Sequence, residues 1–370
     1  MKIENSYGIP KTWSPLSELI KKKKIKQKIK IMLENEKENE QILENENNEN
    51  NDLKIYVLTW NIHGRTPKKE HLKIILPKDK NYNMFIINTQ ECMKTIGASF
   101  VNDSKDEWVK ILKEYFDTSY INLVNENLSA YHISIFVDVN IKNKFTNFQT
   151  SKIKTGFLNL MANKGAVAIS MVYKKKKLCF INCHLHHGQD NSISRNEDFK
   201  RINQELNFTP YENNENILII NKLNKTDYFD IVFWSGDFNY VLNGKKEEII
   251  KLIKEKNYFE LTKFDQLNEE IKSNRIEIND FEEGEINFCP TYKFKDETDE
   301  YELENRVPGY NDRILYKVKN IHDLSLCEYN CIKEIKYSDH KPVYAVFDLK
   351  YSETQFTKCK RQDQKACFIF

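Results

Sequence analysis

The chain has 370 residues, of which 40% are hydrophobic and 30% are charged, enough for one large domain or two ordinary ones. Its formal net charge of +2 is smaller than the basic excess of most general nucleic-acid binders. The eight cysteines show no CxxC or zinc-finger spacing, and no apolar stretch resembles a signal peptide or a membrane span, so we expect reduced thiols in the cytoplasm.

Residues 1–52 have the composition of an appendage rather than of a packed domain. A lysine-rich run at residues 21–30 precedes a Glu- and Asn-rich tract that is too polar to build a core. The lysine run could form a basic amphipathic helix that faces an anionic surface. A solvated tail with biased composition is an equally good interpretation of both segments.

From residue 53 to residue 350, short apolar runs alternate with helical patterns. Several runs are apolar throughout, as expected of strands that are covered on both faces. The runs occupy residues 54–61, 83–91, 132–139, 165–173, 178–185, 230–239, 313–318 and 342–349. Residues 106–116 and 245–259 have the spacing of helices. We therefore predict one layered α/β domain over residues 53–350, followed by a polar and basic tail at residues 351–370.

Polar side chains lie at the ends of many of these runs, where a layered fold collects its functional groups at one rim. Asn61 and Glu91 offer hard oxygen ligands that suit Mg²⁺. Asp237 could activate a water while Asn239 holds a phosphoryl oxygen. No P-loop glycine motif is present, so the sequence does not support nucleotide-driven chemistry.

Histidines and cations complete a set that suits a phosphorylated substrate. His184 and His340 could donate hydrogen bonds to charge that builds up on a phosphoryl group. An acidic partner, Asp312 or Asp339, would orient the imidazole and favour its charged form. Three separate segments supply cations and a phenol, which suits a substrate with several phosphates; these residues are Lys164, Tyr292, Lys293, Arg306 and Arg313.

An ordered set of short motifs resembles the inositol polyphosphate 5-phosphatase family of the endonuclease/exonuclease/phosphatase superfamily. The motifs are TWNIHG, TQE, NKGAV, NCHL, SGDFNY, PTYKF, PGYNDRIL and SDHKPV, spread over residues 53–350. The phrase VPGYNDRIL is most similar to the prenylated phosphoinositide 5-phosphatase branch. The resemblance implies a DNase I-like fold, a four-layer α/β sandwich of two packed mixed β-sheets flanked by helices.

The resemblance also implies roles for individual residues. It places Mg²⁺ at Asn61 and Glu91. It assigns catalysis to Asp237, Asn239, His184, His340, Asp312 and Asp339. It assigns substrate phosphates to Lys164, Tyr292, Lys293 and Arg313. The implied reaction is Mg²⁺-dependent hydrolysis of the 5-phosphate of phosphoinositides, such as phosphatidylinositol 4,5-bisphosphate or 3,4,5-trisphosphate, by direct in-line attack of water.

Three departures from the family pattern are present, and the first is Ala162, which stands where many members have the glycine of GNKG; a methyl group there is expected to be tolerated. Val241 replaces an arginine that is common after the SGDFNY motif, and its loss could weaken substrate binding or alter head-group preference. The residues after His184 read LHHG rather than the frequent LAAH, so an outer histidine is absent or displaced to His187. None of the three departures removes a core catalytic position, and activity is still expected.

The last four residues, Cys367 to Phe370, fit a CaaX box whose terminal phenylalanine favours geranylgeranylation. Basic residues lie just upstream and would add attraction to an anionic leaflet; these are Lys358, Lys360, Arg361 and Lys365. We therefore expect a prenyltransferase substrate attached to the cytosolic face of membranes. An accidental cysteine in a frayed tail is the alternative.

Two other functions stay open from the sequence. The first is a nuclease or a sphingomyelinase-like phosphodiesterase of the same superfamily, which is not expected to carry PTYKF together with PGYNDRIL. The second is a non-catalytic phosphoinositide-binding module, which should have lost a metal-binding or water-handling residue. The expected partners are a lipid substrate at a membrane and, as a further possibility, soluble inositol phosphates. No nucleic-acid partner is expected, and a monomer is predicted.

Overall fold

A computed structural model describes residues 52–92, 103–156, 163–211, 224–278, 280–304 and 306–351, with the backbone alone for residues 103–106. The strands in these residues are β1 Leu53–Asn61, β2 Met84–Gln90, β3 Tyr120–Leu128, β4 Tyr131–Asp138, β5 Phe145–Lys154, β6 Gly165–Tyr173, β7 Lys176–His184, β8 Ile231–Asp237, β9 Glu282–Glu283, β10 Asp312–Val318, β11 Leu324–Cys331 and β12 Val343–Leu349. The α-helices are α1 Lys69–Ile75, α2 Asp103–Phe116, α3 Ser192–Glu205, α4 Lys246–Lys254, α5 Tyr258–Leu261 and α6 Gln266–Lys272.

The strands form two six-stranded sheets. The first has the order β11-β12-β1-β2-β4-β3, and the second has the order β5-β6-β7-β8-β10-β9. Both sheets are mixed, because β1 is parallel to β2 and β7 is parallel to β8, whereas their other neighbours run antiparallel. The predicted fold class, two packed mixed sheets flanked by helices, is confirmed.

The alternation of side chains along the strands explains the layers, because neighbouring residues of a strand point to opposite faces. In β1, Ile55 and Val57 lie in the core that is shared by the two sheets. Tyr56, Leu58 and Trp60 face the other way and pack against the apolar faces of α1 and α2. The outer face of the second sheet packs in the same manner against α3 and α6. Full burial of each such side chain contributes about 1.5–3 kcal/mol.

The helical pattern at residues 245–259 is interrupted in the structure, which differs from the prediction of one helix. Lys256 adopts a left-handed conformation with φ of 55°, and its N–H donates to the carbonyl of Ile253. This geometry closes α4 and satisfies its last carbonyls. The side chain of Asn257 then accepts a hydrogen bond from the N–H of Glu260 and caps α5.

The two ends of the chain fall almost entirely outside the described residues. Of the predicted N-terminal segment, residues 1–52, only Asp52 is described, and of the predicted tail only Tyr351. The segment boundaries and the lipidation site Cys367 therefore stay predictions. Among the residues that the structure does describe, no helix combines the length and the apolar character that a membrane crossing needs.

Candidate active site

Strand pairing brings the predicted polar residues to one edge of the two sheets. The last residue of β1, Asn61, pairs with Gln90 at the end of the parallel strand β2. His184 ends β7 and pairs in the same way with Asp237 at the end of β8. Strand β10 runs antiparallel to β8, so its first residue, Asp312, lies opposite Asp237. Residues far apart in the sequence therefore meet because each occupies a strand end.

A glycine allows β7 and β8 to approach closely just before the site. Gly236 has φ of 147°, and a Cβ atom there would lie 2.1 Å from the carbonyl oxygen of Cys183. Any other residue would force the two strands apart, since such contacts are sterically forbidden. The glycine of the SGDFNY motif thus sets the position of Asp237 beside His184.

Two carboxylates converge on the side-chain amide of Asn61. Its Nδ2 atom lies 3.1 Å from Oε1 of Glu91 and 3.1 Å from Oδ2 of Asp237. Its Oδ1 atom accepts the backbone N–H of His63 at 3.0 Å. Burial alone would raise the pKa of Glu91, but the neighbouring His184 and His340 and the hydrogen bond from Asn61 hold it below the usual value. Negatively charged carboxylate oxygens, which can act as metal ligands, are therefore concentrated around Asn61.

Hydrogen bonds hold the loop before β12 against the end of β1. Trp60 donates from Nε1 to the carbonyl oxygen of His340 at 3.1 Å. The Ser338 hydroxyl donates to the carbonyl oxygen of Asn61 at 2.7 Å and accepts the N–H of His340 at 3.2 Å. These contacts hold the backbone of His340 in place. The imidazole is therefore positioned at the strand ends independently of the bonds that the ring itself makes.

His340 forms a buried acid–base pair with Asp312. Its Nδ1 atom lies 2.8 Å from Oδ2 of Asp312, which also accepts the Thr291 hydroxyl at 2.7 Å. The other ring nitrogen, Nε2, lies 3.9 Å from Oδ2 of Asp237. Burial alone would lower the pKa of His340, but the Asp312 carboxylate raises it to about 10. His340 is therefore a charged donor at neutral pH.

His184 lies between a cation and a carboxylate. Its Nε2 atom is 2.6 Å from Nζ of Lys164 and 3.3 Å from Oδ2 of Asp237. One nitrogen cannot accept from Lys164 and donate to Asp237 at the same time. Burial and the Lys164 ammonium lower the pKa of His184, which favours the neutral ring that accepts from Lys164.

Asp237 contacts most of the residues described above. Its Oδ1 atom accepts the backbone N–H of Asn239 at 3.0 Å. Burial alone would raise the pKa of Asp237, but His184, His340 and Lys164 together hold it below the usual range. The carboxylate is therefore ionised at neutral pH.

Other predicted residues lie around this centre. The Tyr292 ring stacks on His340 with ring centroids 4.2 Å apart, and its hydroxyl accepts Nη1 of Arg306 at 2.6 Å. Lys293 follows Tyr292 in the chain and is half-buried. The Asn239 amide donates to the carbonyl oxygen of Leu185 at 3.0 Å, which leaves its second N–H for another acceptor.

The structure does not place Arg313 in the site, and this corrects the prediction that it binds a substrate phosphate. Arg313 is fully buried. Its Nη1 contacts both oxygens of Asp265 at 2.9 and 3.1 Å, and its Nε and Nη2 bond to Glu283. Every nitrogen of the guanidinium is thus directed at a carboxylate inside the protein.

Several site residues had no assigned role from the sequence. His63 lies with Nδ1 3.3 Å from Oδ1 of Asp339 and 3.7 Å from Oε2 of Glu91. Thr291 supports Asp312, and Asn311 donates to the Asn239 amide oxygen at 3.3 Å. All three belong to quoted motifs, TWNIHG, PTYKF and PGYNDRIL. Their position inside these motifs is the sequence signal that could have identified them as site residues.

Residues 58–346 match the model of the endonuclease/exonuclease/phosphatase family 2. The chain belongs to this family. Within it the similarity is to inositol polyphosphate 5-phosphatases, and the family predicted from the motifs is confirmed. The similarity to the prenylated branch stays a prediction.

Two curated relatives illustrate the similarity. The phosphatidylinositol 4,5-bisphosphate 5-phosphatase INP51 of Saccharomyces cerevisiae is 30% identical over 311 residues, which are 80% of this chain and 31% of the relative. The phosphatidylinositol polyphosphate 5-phosphatase type IV of Mus musculus is 30% identical over 307 residues, which are 81% of this chain and 46% of the relative. The chain thus spans less than half the length of these relatives.

Two solved structures have a related fold. The inositol polyphosphate 5-phosphatase domain of Spsynaptojanin, in complex with inositol (1,4)-bisphosphate and calcium ion, matches with a TM-score of 0.70 and 26% identity. The match covers 96% of this chain and 99% of that one. A Cimex nitrophorin matches with a TM-score of 0.65 and 20% identity over 81% of this chain and 99% of its own. Because that protein was solved as a ferrous NO complex, the fold alone does not fix the function.

Proposed function

We propose that the protein is a Mg²⁺-dependent phosphoinositide 5-phosphatase. Its substrates would be lipids such as phosphatidylinositol 4,5-bisphosphate or 3,4,5-trisphosphate, hydrolysed by direct in-line attack of water. One observation carries the proposal: Oδ2 of the buried Asp237 lies 3.3 Å from Nε2 of His184 and 3.9 Å from Nε2 of His340, and it also contacts the amide of Asn61. The similarity to inositol polyphosphate 5-phosphatases supports the choice of substrate.

The residues present fit a hard divalent cation. Asn61 and Glu91 provide an amide and a carboxylate, and the convergence of Glu91 and Asp237 on one amide needs compensating positive charge. The described residues contain no group of three or more His, Cys, Asp or Glu side chains arranged to hold a metal. A small number of protein ligands is typical of Mg²⁺, which keeps several waters and shares substrate phosphates. As a ligand, Asn61 would present its oxygen after a flip of the amide.

The protein side chains divide the chemistry among them. Bound Mg²⁺ would supply electrostatic stabilisation of the charge on the reacting phosphoryl group. Asp237 orients the attacking water and accepts its proton, since its carboxylate is ionised and faces the strand ends. Asn239 fixes the Asp237 carboxylate through its backbone N–H and keeps one amide N–H for a phosphoryl oxygen.

Two cationic groups would stabilise charge as the phosphate leaves. His340 donates from Nε2, which has no acceptor within hydrogen-bonding distance among the described residues, while Asp312 holds its Nδ1–H. The Lys164 ammonium lies 2.6 Å from Nε2 of His184, and this nitrogen is 3.3 Å from Oδ2 of Asp237. Arg306, oriented by Tyr292, and Lys293 would bind the phosphates that are not hydrolysed.

Phosphate release by the full chain tests the proposal. Phosphoinositides in mixed vesicles and soluble inositol phosphates are compared with Mg²⁺, with excess chelator, and after Mg²⁺ is restored. We expect phosphate only from molecules that carry a 5-phosphate, with loss in chelator and recovery on addition of Mg²⁺. Phosphatidylinositol 4-phosphate is the matched control. Release from that control, release that is insensitive to chelator, or preferred cleavage of DNA would reject the assignment.

Membrane attachment through Cys367 is a separate part of the proposal. A single prenyl chain holds a protein weakly, and the basic residues upstream would provide the second signal. Cys367→Ser should move the protein from the membrane fraction to the soluble fraction, while Cys359→Ser should leave more of it on membranes. An unchanged distribution of the Cys367→Ser variant would reject the anchor.

A further inference from the structure

Two cysteine side chains from different segments lie next to each other beside the active-site loops. The Sγ atoms of Cys289 and Cys331 are 3.9 Å apart, and both thiols are free. Cys289 is half-buried and directly precedes Pro290 and the site residues Thr291 and Tyr292. Cys331 is the last residue of β11. Their separation along the sequence means that a bond between them would join two elements of the fold.

The surroundings favour reaction at this pair. Cys289 is partly exposed, and the buried Cys331 borders a surface pocket together with Pro77, Lys80 and Lys333, so a small peroxide can reach the pair. The hydrogen bond with Cys331 lowers the pKa of Cys289 to about 6 against the opposing effect of burial, and Lys333 acts in the same direction. Oxidant-sensitive cysteines in proteins combine a thiolate, partial access and a neighbouring thiol.

We propose that Cys289 and Cys331 form an oxidation site that a peroxide converts into an intramolecular disulfide. The Cys289 sulfur attacks one peroxide oxygen, forming an S–O bond as the O–O bond breaks and the departing oxygen leaves as water. The Cys331 sulfur then attacks the Cys289 sulfur, forming the S–S bond while the S–O bond breaks and a second water leaves. The two thiols lose two electrons and two protons, and the peroxide is reduced to water. A thiol reductant reverses the change.

The disulfide would connect directly to groups that hold the active site. Thr291 donates its hydroxyl to Asp312, and Tyr292 stacks on His340. The N–H of Lys341 donates to the carbonyl oxygen of Thr291 at 2.9 Å, so the Cys289 segment and the His340 loop are already paired. Disulfide formation requires the sulfurs to approach to about 2.05 Å, which pulls the Thr291 segment towards β11.

A loss of activity on oxidation follows, and this part rests on the proposed 5-phosphatase function. Displacing Thr291 and Tyr292 disturbs the supports of Asp312 and His340. Small displacements of catalytic groups cost large factors in rate, so we expect kcat to fall on the order of tenfold. Since the segments move only by the approach of two neighbouring sulfurs, the fold should be retained.

Peptide mass analysis of the full chain tests the site without reference to activity. The reduced protein is exposed to hydrogen peroxide, its remaining thiols are alkylated under native conditions, and the digest is examined before and after dithiothreitol. We expect a Cys289–Cys331 cross-linked peptide, lighter by two hydrogens than the sum of its parts, that dithiothreitol separates. Absence of this peptide, or preferential linkage of Cys331 to Cys327, would overturn the proposal.

Single variants identify the role of each thiol. Cys331→Ser should accumulate a sulfenic acid on Cys289 that dimedone traps, and neither Cys331→Ser nor Cys289→Ser should form the disulfide. Cys327→Ser, an exposed neighbour on the same strand, should behave like the wild type. Phosphate release is measured on the same samples. A disulfide without any change in kcat would overturn the link to the active site, whereas an inactive reduced protein with a normal disulfide would count against the proposed function alone.

Discussion

Two buried charge clusters lie on opposite faces of β10, and they begin at adjacent residues. Asp312 faces the strand-end site and pairs with His340. Arg313, the next residue, points to the other face and pairs with Asp265 and Glu283. Both clusters are built from buried ionisable groups, so burial and charge alone do not distinguish a catalytic centre from a structural one.

The difference lies in whether the cluster keeps bonding capacity for a ligand. The Arg313 guanidinium directs all its nitrogens at internal carboxylates and is fully buried, so a phosphate has nothing to bind. In the other cluster, Nε2 of His340 is 3.9 Å from Asp237, which is longer than a hydrogen bond. That N–H is therefore available to a substrate, and the geometry supports a catalytic role for the Asp312 side alone.

The largest contrast should come from matched Asp→Asn substitutions in the two clusters. Asp237→Asn should lower kcat on the order of 10²–10⁴-fold, because the base that faces the water is lost while the size of the side chain is kept. Asp265→Asn, its control, should destabilise the fold and leave turnover per folded molecule nearly unchanged. Steady-state phosphate release and chemical unfolding measure the two effects. Near-normal turnover of Asp237→Asn would contradict the assignment.

The Arg313 cluster should respond mainly in stability. Arg313→Met leaves Asp265 and Glu283 buried without their cation, and loss of one partner of a buried ion pair typically costs about 3–5 kcal/mol in the free energy of unfolding. Arg201→Met removes a more exposed pair with Glu205 and should cost less than about 1 kcal/mol. Denaturant unfolding measures both. An unchanged stability with a raised KM would restore the original prediction that Arg313 binds substrate.

The pH dependence of turnover tests whether the Asp312–His340 pair takes part in catalysis. The Asp312 carboxylate, acting against burial, raises the pKa of His340 to about 10, so the charged donor is present below that pH and is lost as pH rises through it. In Asp312→Asn the alkaline fall in kcat should move to lower pH by about 1–3 units. Asp339→Asn, which removes a more distant charge, should shift it less. An identical alkaline limb in wild type and Asp312→Asn would show that this pair does not set the pH dependence.

The sequence predicted the interior of the sheets better than their margins. The eight apolar runs correspond to the eight interior strands, β1, β2, β4, β6, β7, β8, β10 and β12. The four strands at the sheet edges, β3, β5, β9 and β11, were not among the predicted runs. Edge strands are covered on fewer sides and tolerate polar side chains, as the mostly exposed or half-buried residues of β5 illustrate. Their apolar pattern is therefore too weak to recognise.

Strand geometry also explains which of the predicted site residues meet and which do not. Asn61, His184 and Asp237 end strands that are interior and nearly continuous in apolar character, so their convergence followed from parallel pairing. Arg313 was misplaced because it was read with Asp312 as one motif, although adjacent residues of a strand face opposite sides. His63 follows β1 in a left-handed turn with φ of 51°, a direction that the strand pattern does not predict.

The smallest expected effect separates ring packing from hydroxyl chemistry at Tyr292. Tyr292→Phe keeps the ring that stacks on His340 and removes the hydroxyl that accepts a hydrogen bond from Arg306. KM should rise a few-fold, since this hydrogen bond is exposed to solvent and is therefore worth about 1 kcal/mol rather than the larger value of a buried charged bond, while kcat should stay unchanged. Tyr292→Leu removes both contacts and should lower kcat as well, because His340 loses its packing surface. If Tyr292→Phe lowered kcat as much as Tyr292→Leu, the hydroxyl itself would act on the reacting phosphate, as a second donor beside His340.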